Sequence, residues 1–156
     1  MGFDPQIFNT FHQDWALVTA GKMGDYNTMT ISWGGLGTLW RLPVATVYVM
    51  PKRYTHEFLE RYDQFTVCFF PEKYRQDLEL LGTKSGRDGD KVAMTSLTPY
   101  ELDGSVAFRE AEQTLLCKKI YRQDMDLAAI PEFAVEHHYR NAAPHTMYIG
   151  EVLKML

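Results

Sequence analysis

The chain has 156 residues, of which 46% are apolar and 23% charged, and 16 basic against 20 acidic side chains leave a net charge of −4. One globular domain over residues 1–156 accounts for these values, and they exclude disorder, collagen and coiled coil as descriptions of the whole. The acidic balance argues against a general nucleic-acid binder, which needs a basic surface, and no apolar run reaches the roughly 20 residues of a membrane-spanning helix.

Met1–Gln13 has no basic cluster ahead of an apolar run, so no secretory signal is expected and the expected compartment is the cytoplasm. Trp15–Ala20 (WALVTA) is short, apolar and bounded by Gly21, which predicts a strand. Gly24 and Asp25 predict a turn, and Asn27–Trp33 (NTMTISW) the returning strand. Gly34, Gly35 and Gly37 predict an irregular loop. Val44–Met50 reads as a central strand bracketed by Pro43 and Pro51, which cannot donate to a ladder. Thr55 is placed to cap a short helix reaching Tyr62.

Phe65–Phe70 (FTVCFF) is a buried strand, and Pro71 suits the first turn of a helix. Tyr74, Leu78 and Leu81 share one face of that helix, with Gly82 at its expected stop. Lys84–Lys91 is a polar loop, followed by a short helix over Lys91–Ser96. Strands are expected near Val106–Ala111, Thr114–Gln123 and Met147–Leu153, with a helical excursion over Asp126–His138 interrupted by Pro131. Cys68 and Cys117 form no CxxC and lie in strand-like runs, which predicts buried free thiols. The chain is therefore mainly β, a closed or sandwich-like fold with a few short peripheral helices.

Familiar catalytic motifs fail on context. Gly35-Leu36-Gly37 runs into Thr-Leu-Trp rather than a helix, so it is no dinucleotide fingerprint. Gly82-Thr83-Lys84-Ser85 lacks the P-loop arrangement, and no GxSxG elbow occurs. His137 and His138 are adjacent and point to different faces of a helix, a poor metal chelate, so no metal is expected. What remains is three polar segments set between apolar strands: Asn27–Trp33, Lys52–Thr55, and Lys84–Asp88 with Lys91 beyond. Their hydroxyls, amides and cations suit a terminal phosphate, helped by the helix start near Thr55. Trp33, Trp40, Tyr54 and Phe70 are candidates to flank a flat heterocycle. The same residues also read as threonines that fit a pleat and cations that face water.

The segments WALVTAG, NTMTISWGGLGTLW, LPVATVYVMPKRYTHEF, FTVCFFPEKYR and GTKSGRDGDKV, with YIGEVLKML near the C-terminus, resemble the flavin reductase-like FMN-binding proteins, and the flavoredoxin-type members most. The likeness runs from about Phe8 to Leu156. It implies a split β-barrel with Greek-key strands, and a homodimer with FMN at or near the subunit interface. It implies that the isoalloxazine lies along Asn27, Thr28, Met29, Thr30, Ser32 and Trp33, with Ile31 where smaller residues are common. Phosphate contacts are implied for Arg53 and Thr55 and for the loop carrying Lys84, Ser85, Arg87 and Lys91, with Tyr54 and Gly86 as further cofactor-binding residues. His145 is placed near the substrate side, without a defined role, and Asp124–His145 matches no family segment residue by residue. The implied activity is an FMN-dependent oxidoreductase taking a hydride from NADH or NADPH. The alternative is an FMN-containing electron-transfer protein reduced by a protein partner. Neither requires a side-chain acid or base, so no catalytic residue is named.

Overall fold

A computed structural model describes residues 2–156. A 3-10 turn (Pro5–Phe8) and α1 (Asn9–His12) lead into β1 (Ala16–Lys22), β2 (Asp25–Ile31), β3 (Gly34–Leu39) and β4 (Leu42–Val49). There follow α2 (Tyr54–Arg61), β5 (Gln64–Phe69), α3 (Arg75–Thr83), β6 (Pro99–Leu102), β7 (Ser105–Phe108), β8 (Gln113–Asp124), α4 (Glu132–His138) and β9 (Thr146–Met155). Seven strands make one antiparallel sheet in the order β2-β1-β5-β8-β9-β4-β3, and β6 and β7 pair as a separate hairpin. The edge strands β2 and β3 are consecutive in the chain, with only Ser32 and Trp33 between them. Ile31 and Gly34 are thus at most roughly 11 Å apart, the reach of three extended residues. The sheet must curl until its edges meet at a seam, which gives the mainly β split barrel that the resemblance implies.

Two cores explain which strands were legible. Val18, Ala20, Met29, Ala45, Val47, Phe65, Val67, Cys117 and Tyr148 form the first, with Phe58 and Leu59 of α2. Leu17, Cys68, Leu78, Leu81, Ala107 and Phe108 form the second, which joins β1 and β5 to α3 and the β6–β7 hairpin. Side chains alternate across a strand, so β1 and β5 are covered on both faces. A strand buried on both faces is a continuous apolar run, as in WALVTA and FTVCFF. Cys68 and Cys117 are buried and free, as expected. Burial pushes both thiols up, that of Cys117 to about 12.

Several local expectations are corrected. Gly34, Gly35 and Gly37 lie in strand β3, not in a loop, paired in register with Leu42–Val47. Trp40 and Arg41, at φ 51° and 64°, make the two-residue connection, a left-handed pair that matches strand twist. Main-chain pairing therefore makes this strand. At Gly34 a Cβ would stand 2.8 Å from the Phe11 ring, so the small residue lets α1 close against the sheet. Pro43 lies inside β4 rather than before it, yet outside the β4–β9 pairing that begins at Val44. Arg53, not Thr55, occupies the N-cap of α2. α3 continues through Gly82 to Thr83, because its terminal carbonyls are met by side chains described below. The hairpin strand β6 and the helical turns before His12 carried no signal that the sequence reading used. The second strand of that hairpin is Ser105–Phe108, one residue earlier and three shorter at its end than expected.

Candidate functional site

Two polar segments and the start of α2 converge beside the seam. Arg53, Tyr54 and Thr55 line a cavity of about 190 Å³ with Asn27, Met29, Lys52, Thr83, Lys84, Ser85, Gly86 and Lys91. No carboxylate is among the lining residues. Arg53 donates to the Gly82 carbonyl at 2.9 Å. Lys91 donates to the carbonyls of Leu81 at 2.9 Å and Lys84 at 3.0 Å. Those oxygens belong to the end of α3, where carbonyls lack helical partners and the dipole favours cations. The helix end thus positions two cations side by side. Burial lowers the Arg53 guanidinium. Burial, followed by the Arg53 charge, lowers the Lys91 ammonium to about 8. Among the described residues neither side chain has an ion-pair partner. A half-buried and a buried cation without a carboxylate favour an anion by mutual relief.

The neutral donors point the same way. Thr55 is fully buried, and its hydroxyl oxygen accepts from Asn27 Nδ2 at 2.8 Å. That leaves the O–H proton of Thr55 for an acceptor in the cavity. Arg53 makes no side-chain cap bond, so the first N–H groups of α2 carry the unpaired positive end of that helix. Across the cavity Ser85 caps the 3-10 turn Gly86–Asp88. Gly86 lies so close to Asn27 that a Cβ would be 2.1 Å from its Oδ1. The loop is seated by that contact.

Met29 and Arg53 also line a second cavity of about 300 Å³, so the two are continuous through those residues. Its other walls are Thr30, Ile31, Ser32, Trp33, Tyr48, Met50, His137, His138 and His145. β2 is an edge strand, and an edge leaves a row of main-chain N–H and C=O groups unpaired. That row is suited to the polar rim of a flat ring. Trp33 meets the rings of His138 and His145 at centroid distances of 4.9 and 5.2 Å. Burial, then the charges of His138 and Arg53, lowers the His145 imidazole to about 4, so it is neutral at pH 7. Together the cavities fall within the range of about 300–1,000 Å³ typical of small-molecule sites.

The implied residues separate into those that reach the groove and those that do not. Asn27, Met29, Thr30, Ser32, Trp33, Arg53, Tyr54, Thr55, Lys84, Ser85, Gly86 and Lys91 line it. The Thr28 hydroxyl does not. It is buried, shares a 2.8 Å bond with Thr19 and donates to the Val18 carbonyl. Thr30 lines the wall, but its hydroxyl is committed to the Leu78 carbonyl. Arg87 is turned outward, paired with Glu57 at 2.8 Å and stacked on Tyr54. Trp40 sits exposed at the β3–β4 turn, and Phe70 is buried in the second core, so neither flanks this groove. The histidines of α4 went unrecognised as a wall because adjacency on a helix was weighed only as a chelate. Among the described residues no group of three potential metal ligands occurs.

A phosphate monoester attached to a planar ring fits this donor set: cations and hydroxyls at one end, an unpaired strand edge and aromatic rings at the other. Residues 8–156 match the family described as "Flavin reductase like domain". An uncharacterized protein of Pyrococcus abyssi is 23% identical over 137 residues, covering 88% of this chain and 69% of that one. Among solved structures, the FMN-binding protein from Thermus thermophilus with bound 1-cyclohex-2-enone has a TM-score of 0.74 at 19% identity, covering 100% of this chain and 76% of that one. Flavoredoxin from Methanosarcina acetivorans has a TM-score of 0.72 at 18% identity, covering 100% and 74%. Among the described residues no helix is long and apolar enough to cross a membrane.

Proposed function

The chain belongs to the flavin reductase-like domain family, and from that premise we propose that it is an FMN-binding oxidoreductase, an NAD(P)H-dependent flavin reductase that works as a homodimer. The observation that carries the FMN assignment is the Arg53–Lys91 pair, largely buried without a carboxylate at one end of a groove whose other end is aromatic and neutral. When bound there, FMN would supply the redox chemistry, a hydride from the nicotinamide in and electrons to an acceptor out. The chain's own residues bind and orient. Arg53, Lys91 and Lys84 meet the phosphate, with the hydroxyls of Thr55 and Ser85. The free edge of β2 meets the ring, and Trp33 bounds it. The exposed apolar side chains Leu36, Trp40 and Phe133 support a subunit contact.

A second reading is a flavoredoxin-like electron-transfer protein reduced by a protein partner. It is favoured by the ring end of the groove, where Arg53 is the one cation among the lining residues, apart from histidines. The two phosphates of a dinucleotide would find little charge there. An absorption spectrum of the purified protein, then titration with FMN and anaerobic NADH or NADPH, separates the readings. A flavin spectrum that bleaches rapidly with nicotinamide is the expected result. Bleaching by dithionite alone would favour the electron carrier, and failure to bind FMN would overturn both.

A further inference from the structure

We infer that Tyr139 is a positioning residue for the ring end of the groove: its hydroxyl donates to Nδ1 of His145, fixing the imidazole as the tautomer whose hydrogen is on Nε2 and turned to the groove. The two atoms are 2.7 Å apart. Tyr139 is only 7% exposed, and among the described residues its hydroxyl has no other hydrogen-bond partner. With no other acceptor in reach, the buried hydroxyl gives its one hydrogen to Nδ1. His145 lines the groove and Tyr139 does not. With Nδ1 occupied on the far side, the Nε2 edge is the one that meets a ligand.

The surroundings suit a neutral ring. The groups that face His145 are His138 from α4, Arg53 ahead of α2, Tyr139 and the Trp33 ring. None is a carboxylate that would hold a proton on it. α4 itself buries no residue, so Tyr139, at its C-cap, also anchors the helix that carries His138. Resting on the flavin reading above, the consequence is one fixed, uncharged N–H donor at the ring end, suited to a carbonyl oxygen on the molecule that stacks there. An anionic group would find a weaker partner.

Long-range 1H–15N correlation on the full chain with labelled histidine reads the tautomer without any flavin, His145→Gln supplying the assignment. A neutral Nε2–H form from pH 5 to 8 is expected. A predominant Nδ1–H form, or a cationic ring at pH 6, overturns the inference. Tyr139→Phe keeps the anchoring ring and removes the hydroxyl. In the FMN-loaded variant, kcat with NAD(P)H is expected to fall about threefold to tenfold, the worth of one neutral hydrogen bond. FMN affinity is expected to stay unchanged, and the same substitution added to His145→Gln is expected to cost nothing further. An unchanged kcat overturns the inference. If the wild-type protein binds no flavin, the functional reading fails while the tautomer still decides this one. If Tyr139→Phe does not fold, the wild-type spectrum decides it alone.

Discussion

At one end of the groove, Arg53 and Lys91 are pinned to main-chain carbonyls at the close of α3. At the other, Trp33 meets His138 edge to face and His145 at a tilt, and side chains alone set their geometry. The charged end is thus built from secondary structure, whose carbonyls must find donors in any case. The neutral end depends on a short helix that buries nothing of its own. An anion site made this way is preorganised before any ligand arrives, whereas the ring end can be retuned by single substitutions. Affinity should therefore reside in the first region and choice of reaction partner in the second.

The strongest challenge to that division is Arg53→Glu. It places a carboxylate beside the Gly82 carbonyl and against the proposed phosphate site, and FMN affinity is expected to fall at least about tenfold, given the worth of a charged hydrogen bond. Equilibrium titration checks this, and an unchanged Kd would remove the phosphate assignment. Next comes Lys91→Met, which leaves the Leu81 and Lys84 carbonyls without their donor. A loss of about 1–3 kcal/mol in unfolding free energy is expected, with weaker FMN binding alongside, read by denaturant titration and Kd together.

The wild-type protein offers a pH test of the same end. With Lys91 at about 8 in the free protein, FMN binding should be steady from about pH 7, where the phosphate is a dianion, up to that pH. A bound phosphate raises the lysine, so affinity declines as pH climbs above about 8. A Kd constant to pH 10 would mean that Lys91 does not meet the anion.

Gly86→Ala has a smaller expected effect. The new methyl would collide with Asn27 Oδ1, shift the Ser85–Arg87 turn and weaken FMN severalfold. Gly35→Ala, which meets nothing within 4 Å, is the control that should leave binding alone. The neutral end is tested through stability rather than through binding. His145 is lowered from 6.5 to about 4, so between those values the unfolded chain binds more protons than the folded one. Stability is then complete above about pH 6.5 and declines on acidification toward pH 4. His145→Gln should flatten that slope, and melting temperatures at pH 7 and pH 5 measure it.

The parts of the fold visible in the sequence were those with a side-chain pattern. β1 and β5 are apolar on both faces, and Leu78 and Leu81 mark the inner face of α3. β3 escaped because glycines carry no pattern and its pairing lies wholly in the main chain. Arg53 and Lys91 were readable as cations near hydroxyls. Nothing in the sequence says that the last carbonyls of α3 would fix them: the Arg53 contact joins residues 29 apart, and the Lys91 contacts depend on how the intervening loop folds back. Thr28 and Thr30 looked alike with Ser32 in NTMTISW. Only the packing reveals that the hydroxyls of the first two are consumed by Val18 and Leu78. Trp40 and Phe70 failed for the same reason: aromatic content identifies candidates but not which side of the sheet they occupy.

One feature of the strand order bears on synthesis. β9, the last strand, lies between β8 and β4 and pairs with both. A nascent chain halted before Thr146 can assemble β2-β1-β5-β8 and the β3–β4 hairpin, but nothing stitches one to the other. Barrel closure then waits until β9 has been made, and it unites β4 and β9, roughly a hundred residues apart in the chain, the slow kind of contact. Trp33 sits in the linker between those two halves, and His145 directly precedes the closing strand. The ring end of the groove is therefore assembled in the same event that completes the sheet, and a ribosome-bound intermediate should be unable to retain flavin until β9 has docked.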